Sequence, residues 1–354
     1  MSKLKIGIIG VGNISNSHIG GYLANPNVEL TAFCDINEQR LKEKGEKYGV
    51  THLYTDVEEM VKAEKLDAVS VCTWNCAHAK CSIAALNAGI HVLCEKPMAM
   101  NAKEAEEMMA AAEKSGKLLM VGFVRRYGND MDILRDFIHA DFFGDFYYAK
   151  AVYIRRNGNP GGWFSDKSRS GGGPLIDLGV HVVDFVRYAM GNPKPVSVYG
   201  ATFQKLGNRS HLKATDAYRS ADRTENDICD VEDLATALIR FDNGAVLNLE
   251  TSFTLNVDDD RGIIELYGEK GGAKIDPELK LYSEANGYMT DIALKAKTAL
   301  DFGGLFQKEI DHYVDCLLDK TECRSPAQDG YEMMRILDAA YESAKTGHEV
   351  ILDE

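Results

Sequence analysis

The sequence predicts an α/β chain of two unequal halves. The first is a parallel sheet wrapped by helices, and the second a large, mostly antiparallel open sheet with helices on one face. Two observations carry this. From Leu4 to Phe123, short apolar runs alternate with helical segments at the spacing of βαβ units. From 196 to 282, apolar and polar residues alternate instead, as in Leu234 to Phe241 and Ala245 to Phe253, with the hairpin signal Asn243-Gly244 between those runs. A length of 354 residues suits two domains better than one core, and the boundary is set at 1–123 and 124–354.

Taken in order, residues 4–9 read as a buried strand, followed by a glycine turn and a helix to about 24. Val28 to Cys34 forms the second strand, ending at Asp35, and 37–48 has helical composition. Leu66 to Cys72 is a strand, and 76–88 a helix stopped at Gly89 by a glycine C-cap. Ile90 to Cys94, a helix over 101–115 and Leu118 to Phe123 complete the first half. A helix near 130–140, a strand at 146–154, a Gly-rich stretch at 157–162 and a helix at about 175–190 open the second. The polar segment 205–227 reads as a surface excursion, and helices at about 303–319 and 329–345 close the chain.

Fifty-four acidic against 40 basic residues give a formal charge of −14, which repels nucleic acid and anionic membrane. No apolar run reaches the roughly 20 residues of a bilayer span. The opening, Met1 to Gly10, has too short an apolar stretch for a signal peptide, so a cytoplasmic location is expected. The cysteine cluster Cys72, Cys76 and Cys81 lacks the paired groups that zinc usually recruits; packed thiols and no metal are expected.

Gly10-Val11-Gly12-Asn13-Ile14-Ser15 places Gly-x-Gly-x-x-small directly after a strand and before a helix. Gly10 allows the tight turn and Gly12 lets the backbone approach a pyrophosphate, which the helix N-terminus attracts. Gly10, Gly12, Asn13 and Ile14 are therefore cofactor candidates in a Rossmann domain. Asp35 lies 20 residues beyond Ser15, about the separation of a ribose-binding carboxylate. With no positive charge at Ile36 or Asn37, and Arg40 a turn further on, NAD is favoured over NADP. A carboxylate capping the next helix is the plain alternative.

Cys94-Glu95-Lys96-Pro97 falls at the carboxyl end of a strand, where ligands of open parallel sheets bind, so Lys96 emerges beside a nicotinamide. In Gly171-Gly172-Gly173-Pro174-Leu175-Ile176-Asp177-Leu178-Gly179-Val180-His181, Asp177 and His181 are four apart and share a helix face. A surface turn for the lysine and a core pair for the histidine are the bland readings of each segment alone.

Together with Gly122-Phe123-Val124-Arg125-Arg126-Tyr127, these segments resemble the glucose-fructose oxidoreductase/inositol dehydrogenase/rhizopine catabolism family, over essentially the whole chain. The resemblance implies a Rossmann domain joined to an α/β domain bearing the substrate site and oligomer contacts. It implies a catalytic set of Lys96, Asp177 and His181, and puts Glu95, Thr73, Trp74, Asn75 and His78 along the nicotinamide half of the cofactor. Trp74 stands where the family often has proline. Arg125 matches a position beside nicotinamide and substrate, and Arg156 and Trp163 reach toward the substrate pocket. An interface role for Arg155 and Arg156 is the bland alternative.

What the resemblance implies chemically is hydride transfer between NAD and a secondary alcohol of a sugar, glycoside or inositol. His181 is the expected general base, Lys96 the group stabilising the developing alkoxide, and Asp177 the positioning carboxylate. A neutral sugar or glycoside, oxidised at a ring hydroxyl such as C3, is preferred over inositol. Two other readings stay open: a reductase of a keto-sugar nucleotide, dihydrodiol or imine, and a non-catalytic NAD-binding regulator. A homo-oligomer, dimer or tetramer, is expected through the antiparallel sheet.

Overall fold

A computed structural model describes residues 3–352 apart from 210, 213–217 and 225, with the backbone alone for Phe302. The chain forms two compact units, residues 1–127 with 302–334 and residues 128–301 with 335–354.

In the first unit, β1 (Leu4–Ile9), β2 (Val28–Cys34), β3 (His52–Tyr54), β4 (Ala68–Val71), β5 (His91–Glu95) and β6 (Leu119–Gly122) form one sheet. Every neighbouring pair is parallel, in the order β3-β2-β1-β4-β5-β6. The order reverses between β1 and β4, which opens a crevice at their carboxyl ends. Helices cover the sheet, so β4 and β6 are buried at every residue and are apolar but for Ser70 in β4. The helices are α1 (Ser15–Ala24), α2 (Glu38–Tyr48), α3 (Val57–Ala63), α4 (Asn75–Asn87) and α5 (Ala102–Ser115). Local chemistry sets their ends. Asn37 caps α2 by accepting from Arg40 N, and Asn101 caps α5 by accepting from Glu104 N. Gly49 and Gly116 end those helices in the left-handed region. The β3 strand and α3, absent from the sequence reading, are three and seven residues long, too short for a period to register.

The second unit contains α6 (Asn129–His139), β7 (Phe146–Ile154), the short α7 (Lys167–Ser170), α8 (Val180–Ala189), β8 (Pro195–Phe203), β9 (Leu234–Phe241) and β10 (Val246–Ser252). It continues through β11 (Arg261–Gly268), β12 (Gly271–Lys274), β13 (Lys280–Ala285) and β14 (Tyr288–Ile292). Its nine-stranded sheet runs β14-β13-β12-β11-β7-β10-β9-β8-β15, the last strand being Val350–Ile351. β7 and β10 pair in parallel and every other neighbouring pair is antiparallel. Alternation holds as expected. Ala237, Ile239, Leu247, Leu249, Ile264 and Leu266 turn to the inner face, where α8 packs. Tyr148, Tyr199, Leu238 and Tyr267 lie on the other face. The Asn243-Gly244 hairpin is a three-residue loop, closed by Gly244 N on Phe241 O with Gly244 at φ 86°. The excursion over 205–227 lies partly outside the described residues; its described part holds turns and bends.

Two helices end the chain, α9 (Phe302–Leu317) and α10 (Ala327–Thr346). The sequence reading placed them wholly in the second segment. In the structure α9 packs on α1, where Ile310 touches Gly21, so 302–334 clusters with the first unit.

Candidate active site

The glycine turn sits where β1 meets α1. Gly10 has φ +86°, and a Cβ there would stand 2.7 Å from the Cys72 carbonyl at the end of β4. A side chain is excluded twice over, by dihedral and by contact. Gly12 differs, because a Cβ there would meet no atom within 4 Å. Its lack of a side chain leaves open space against the backbone rather than relieving a clash. The N-terminus of α1 carries no acidic residue in its first turn and no side-chain cap at Ile14, so its dipole faces that space uncompensated. Asn13 is exposed and Ser15 Oγ donates to Gly12 O at 2.7 Å. Open room, a bare helix end and a carboxylate at the end of β2 fit a dinucleotide.

That carboxylate, Asp35, is buried and accepts four hydrogen bonds. Val11 N donates to Oδ2 at 2.8 Å and Asn37 N to Oδ1 at 2.8 Å. Arg40 Nη2 and Nε donate at 2.7 and 3.1 Å. Arg40, assigned by the sequence reading to the next turn, folds its guanidinium back onto Asp35, because five residues into a helix start is within the reach of an arginine. Asp35 thus also holds the glycine turn through Val11.

At the end of β5, Glu95 is buried and accepts from Lys96 N at 3.1 Å, while its Oε1 lies 2.8 Å from His18 Nε2. Burial opposes ionisation of Glu95, but the bond and charge of His18, with Lys96, more than offset it, and its pKa lies below the usual value. His18 continues through Ser70 Oγ at 3.1 Å to Tyr22 OH at 2.7 Å from that oxygen. Gly122 on β6 faces Glu95, and a Cβ there would stand 3.3 Å from Glu95 Cα. Lys96, half-buried, precedes Pro97 in a cis peptide.

His78 lies between two of these turns. Its Nδ1 lies 2.7 Å from Pro97 O and its Nε2 3.1 Å from Thr73 O. Burial lowers its pKa and favours the neutral ring, which donates to one carbonyl, the shorter Pro97 contact. Trp74 and Asn75 open α4 beside Thr73, Asn75 buried and Trp74 half-buried. Arg125 is half-buried in a short 3-10 turn over Val124–Tyr127. Its neighbour Arg126 is fully buried and donates to Asp329 Oδ2 at 2.7 Å.

In the second unit, Asp177 and His181 stand at the start of one helical run. The spacing predicts a regular helix; the structure instead has a π-turn over Leu175–Gly179, with α8 beginning at Val180. Such wide turns recur at functional sites. The glycines before it are fixed by packing. A Cβ on Gly172 would stand 1.9 Å from Tyr341 OH, and one on Gly173 would stand 2.4 Å from Glu232 O. Buried Glu232 accepts from Gly173 N at 3.0 Å, Leu175 N at 3.1 Å and Tyr341 OH at 2.9 Å. Burial raises its pKa. Asp177 and His181 are half-buried, and the turn between them packs on β9 and β10.

Trp163 is half-buried in a 3-10 turn, its ring centroid 4.0 Å from that of Phe164. Arg156 is exposed; its Nη1 donates to Asp258 O at 3.0 Å and its N to Asp260 Oδ1 at 2.7 Å. Sequence reasoning missed His18, Glu232 and Tyr341, and placed Arg40 too far from Asp35. His18 had a signal, since it follows Ser15 by one turn on the helix of the glycine motif. Glu232 had none, lying 59 residues from Gly173.

Comparison with known proteins agrees in both units. Residues 4–123 match the family described as "Oxidoreductase family, NAD-binding Rossmann fold", and 135–352 the family's "C-terminal alpha/beta domain". The chain is 34% identical to D-glucoside 3-dehydrogenase of Escherichia coli, covering 99% of this chain and 98% of that one. It is 29% identical to myo-inositol 2-dehydrogenase of Thermotoga maritima over 76% of this chain and 74% of that one. Among solved structures, an oxidoreductase domain protein from Kribbella flavida superposes with a TM-score of 0.86 at 25% identity, covering 100% of both chains. Levoglucosan dehydrogenase in complex with NADH and levoglucosan has the same fold, with a TM-score of 0.85 at 21% identity over 100% of both chains.

Proposed function

The chain belongs to the glucose-fructose oxidoreductase/inositol dehydrogenase/rhizopine catabolism family of NAD-binding oxidoreductases, and from that premise we propose that it oxidises a secondary ring alcohol of a sugar or glycoside, at C3. The single observation that carries the reaction class is Lys96 at the carboxyl end of β5, held there by the buried Glu95 and His18. The choice of glycoside over inositol rests on the likeness to D-glucoside 3-dehydrogenase along nearly the whole chain.

Gly10, Gly12, Asn13 and Ile14 would hold the pyrophosphate, Asp35 the adenosine ribose, and Thr73, Trp74, Asn75, Glu95 and Arg125 the nicotinamide half. His78 acts here by donating to the Pro97 carbonyl, which ties α4 to the turn after Lys96. When bound, NAD supplies the acceptor for the hydride leaving the carbinol carbon. His181 takes the hydroxyl proton, an imidazole being suited to that near neutral pH. Lys96 donates a hydrogen bond to the same oxygen as it gains charge. Asp177, carried on the π-turn, fixes a neighbouring hydroxyl. Trp163 offers a flat apolar face to the sugar ring, with Arg125 and Arg156 at the rim.

No described helix is long and apolar enough to cross a membrane; a cytoplasmic location is part of the proposal. The tyrosine-bearing outer face of the nine-stranded sheet is the proposed contact of a homo-oligomer. A panel of alkyl glucosides, free sugars and inositols, each with NAD, tests the function by NADH absorbance. Turnover is expected with the glycosides first, and inositol-only turnover would overturn the substrate class.

A further inference from the structure

Three side chains outside the site described above bring metal-binding atoms together in the first unit. His312 and Cys316 lie four residues apart on α9 and so share a face, and Cys323 returns to them on the loop that follows. One imidazole nitrogen and the two sulfurs lie within 4.8 Å of one another, with His312 Nε2 3.4 Å from Cys316 Sγ. Arg324 N donates to His312 Nε2 at 3.0 Å. A backbone N–H can only donate, so the ring presents the Nε2 lone pair to this corner and carries its proton on Nδ1. The Tyr127 ring, with its centroid 5.3 Å from that of His312, packs against the imidazole.

We propose that His312, Cys316 and Cys323 bind a thiophilic divalent ion of the zinc class. Two sulfurs and one imidazole are the donor set that selects such ions over oxygen-loving ones. Zinc–sulfur bonds of about 2.3 Å put the sulfurs of a tetrahedral site about 3.8 Å apart, a small adjustment of atoms that already lie within 4.8 Å of one another. Binding exchanges whatever protons the two sulfurs hold for the metal and releases them to solvent, while the Nε2 lone pair leaves the Arg324 amide for the ion. Water completes the fourth position. The sequence analysis passed over this set because its ligands are spaced His-x3-Cys-x6-Cys, with no Cys-x-x-Cys pair.

The site would be a clamp. It joins the end of α9 to the loop whose Ser325 O accepts from Val121 N at 2.9 Å on β6, and so ties that loop to the sheet edge. The test uses the full chain, reduced and freed of metal with a chelator, then titrated with cobalt(II) and afterwards with zinc(II). The expected result is one ion per chain, a thiolate-to-cobalt charge-transfer band with the visible bands of a tetrahedral ion, and displacement by zinc. Zinc is expected to release thiol protons to solvent and to raise the Tm. Cys316→Ser and Cys323→Ser should each abolish the band while retaining turnover, and His312→Gln should weaken binding by 10-fold or more. Absence of the band in the parent chain overturns the proposal, as does a band that survives in both serine variants. If a serine variant fails to fold, alkylation of the parent decides: zinc must protect both thiols from iodoacetamide, and equal labelling with and without zinc refutes the site.

Discussion

The imidazole Nε2 of His18 lies 2.8 Å from Oε1 of Glu95, both side chains are buried, and Glu95 immediately precedes Lys96. This contact ties α1, whose N-terminus faces the cofactor space, to the strand end that presents the lysine. The pKa of Glu95 lies below its ordinary 4.5 in the fold. Its contribution to stability is therefore complete above about pH 4.5 and is lost as the pH falls through the folded value. Glu232 has the opposite sign, because burial raises its pKa. Ionising it costs stability as the pH rises from 4.5 through its folded value. In denaturant titrations across pH, Glu95→Gln should flatten the acid limb and Glu232→Gln the limb above it. Unchanged limbs would remove both assignments. Removing the Glu95 partner should also cost about 1–3 kcal/mol at neutral pH, the penalty of a buried group left unsatisfied.

The two motif glycines should separate stability from binding. Gly10→Ala meets the Cys72 backbone and an unfavourable φ, and should cost about 1–3 kcal/mol from strain alone, read as a lower Tm. Gly12→Ala meets nothing in the protein, so stability should stay within about 0.5 kcal/mol of the parent. NAD affinity should nonetheless fall about 10-fold or more, about 1.4 kcal/mol, measured by calorimetry.

Cofactor choice turns on Asp35 and Arg40. With the carboxylate present, the guanidinium is held in a two-point pair and a 2′-phosphate meets a negative neighbour. Asp35→Ser frees the guanidinium and removes the carboxylate proposed to accept from the ribose. The ratio of kcat/KM for NADP to that for NAD should rise by about 10- to 100-fold, the worth of one hydrogen bond to a charged group. An unchanged ratio would mean that Asp35 serves only to hold the glycine turn through Val11.

His181→Ala should lower kcat by about 10²-fold or more with NAD affinity unchanged. Near-normal turnover would take His181 out of the base role.

Much of the first unit was legible because the local signals and the fold agree. The glycine turn, Asp35 and the strand end at Glu95 are fixed by neighbours in sequence and by the parallel order of the strands. The second unit was legible as alternation, hence the open sheet, but not in the detail around Asp177. A π-turn differs from an α-turn by one residue of hydrogen-bond register, which composition does not encode. Its support comes from Glu232 and Tyr341, far along the chain, and long-range partners leave no local trace. Arg40 was misjudged for another reason: distance along a helix was read without the reach of the side chain. The placement of 302–334 with the first unit likewise depends on which helix face finds which core, as with Ile310 against Gly21.

The most direct test of the central claim follows the hydride itself. An alkyl glucoside carrying deuterium at C3 is incubated with the enzyme and NAD, and both products are read by NMR. The proposed reaction predicts deuterium at C4 of the reduced nicotinamide and a ketone at C3 of the sugar. Reduced cofactor free of deuterium, with the label kept on the sugar, would contradict it.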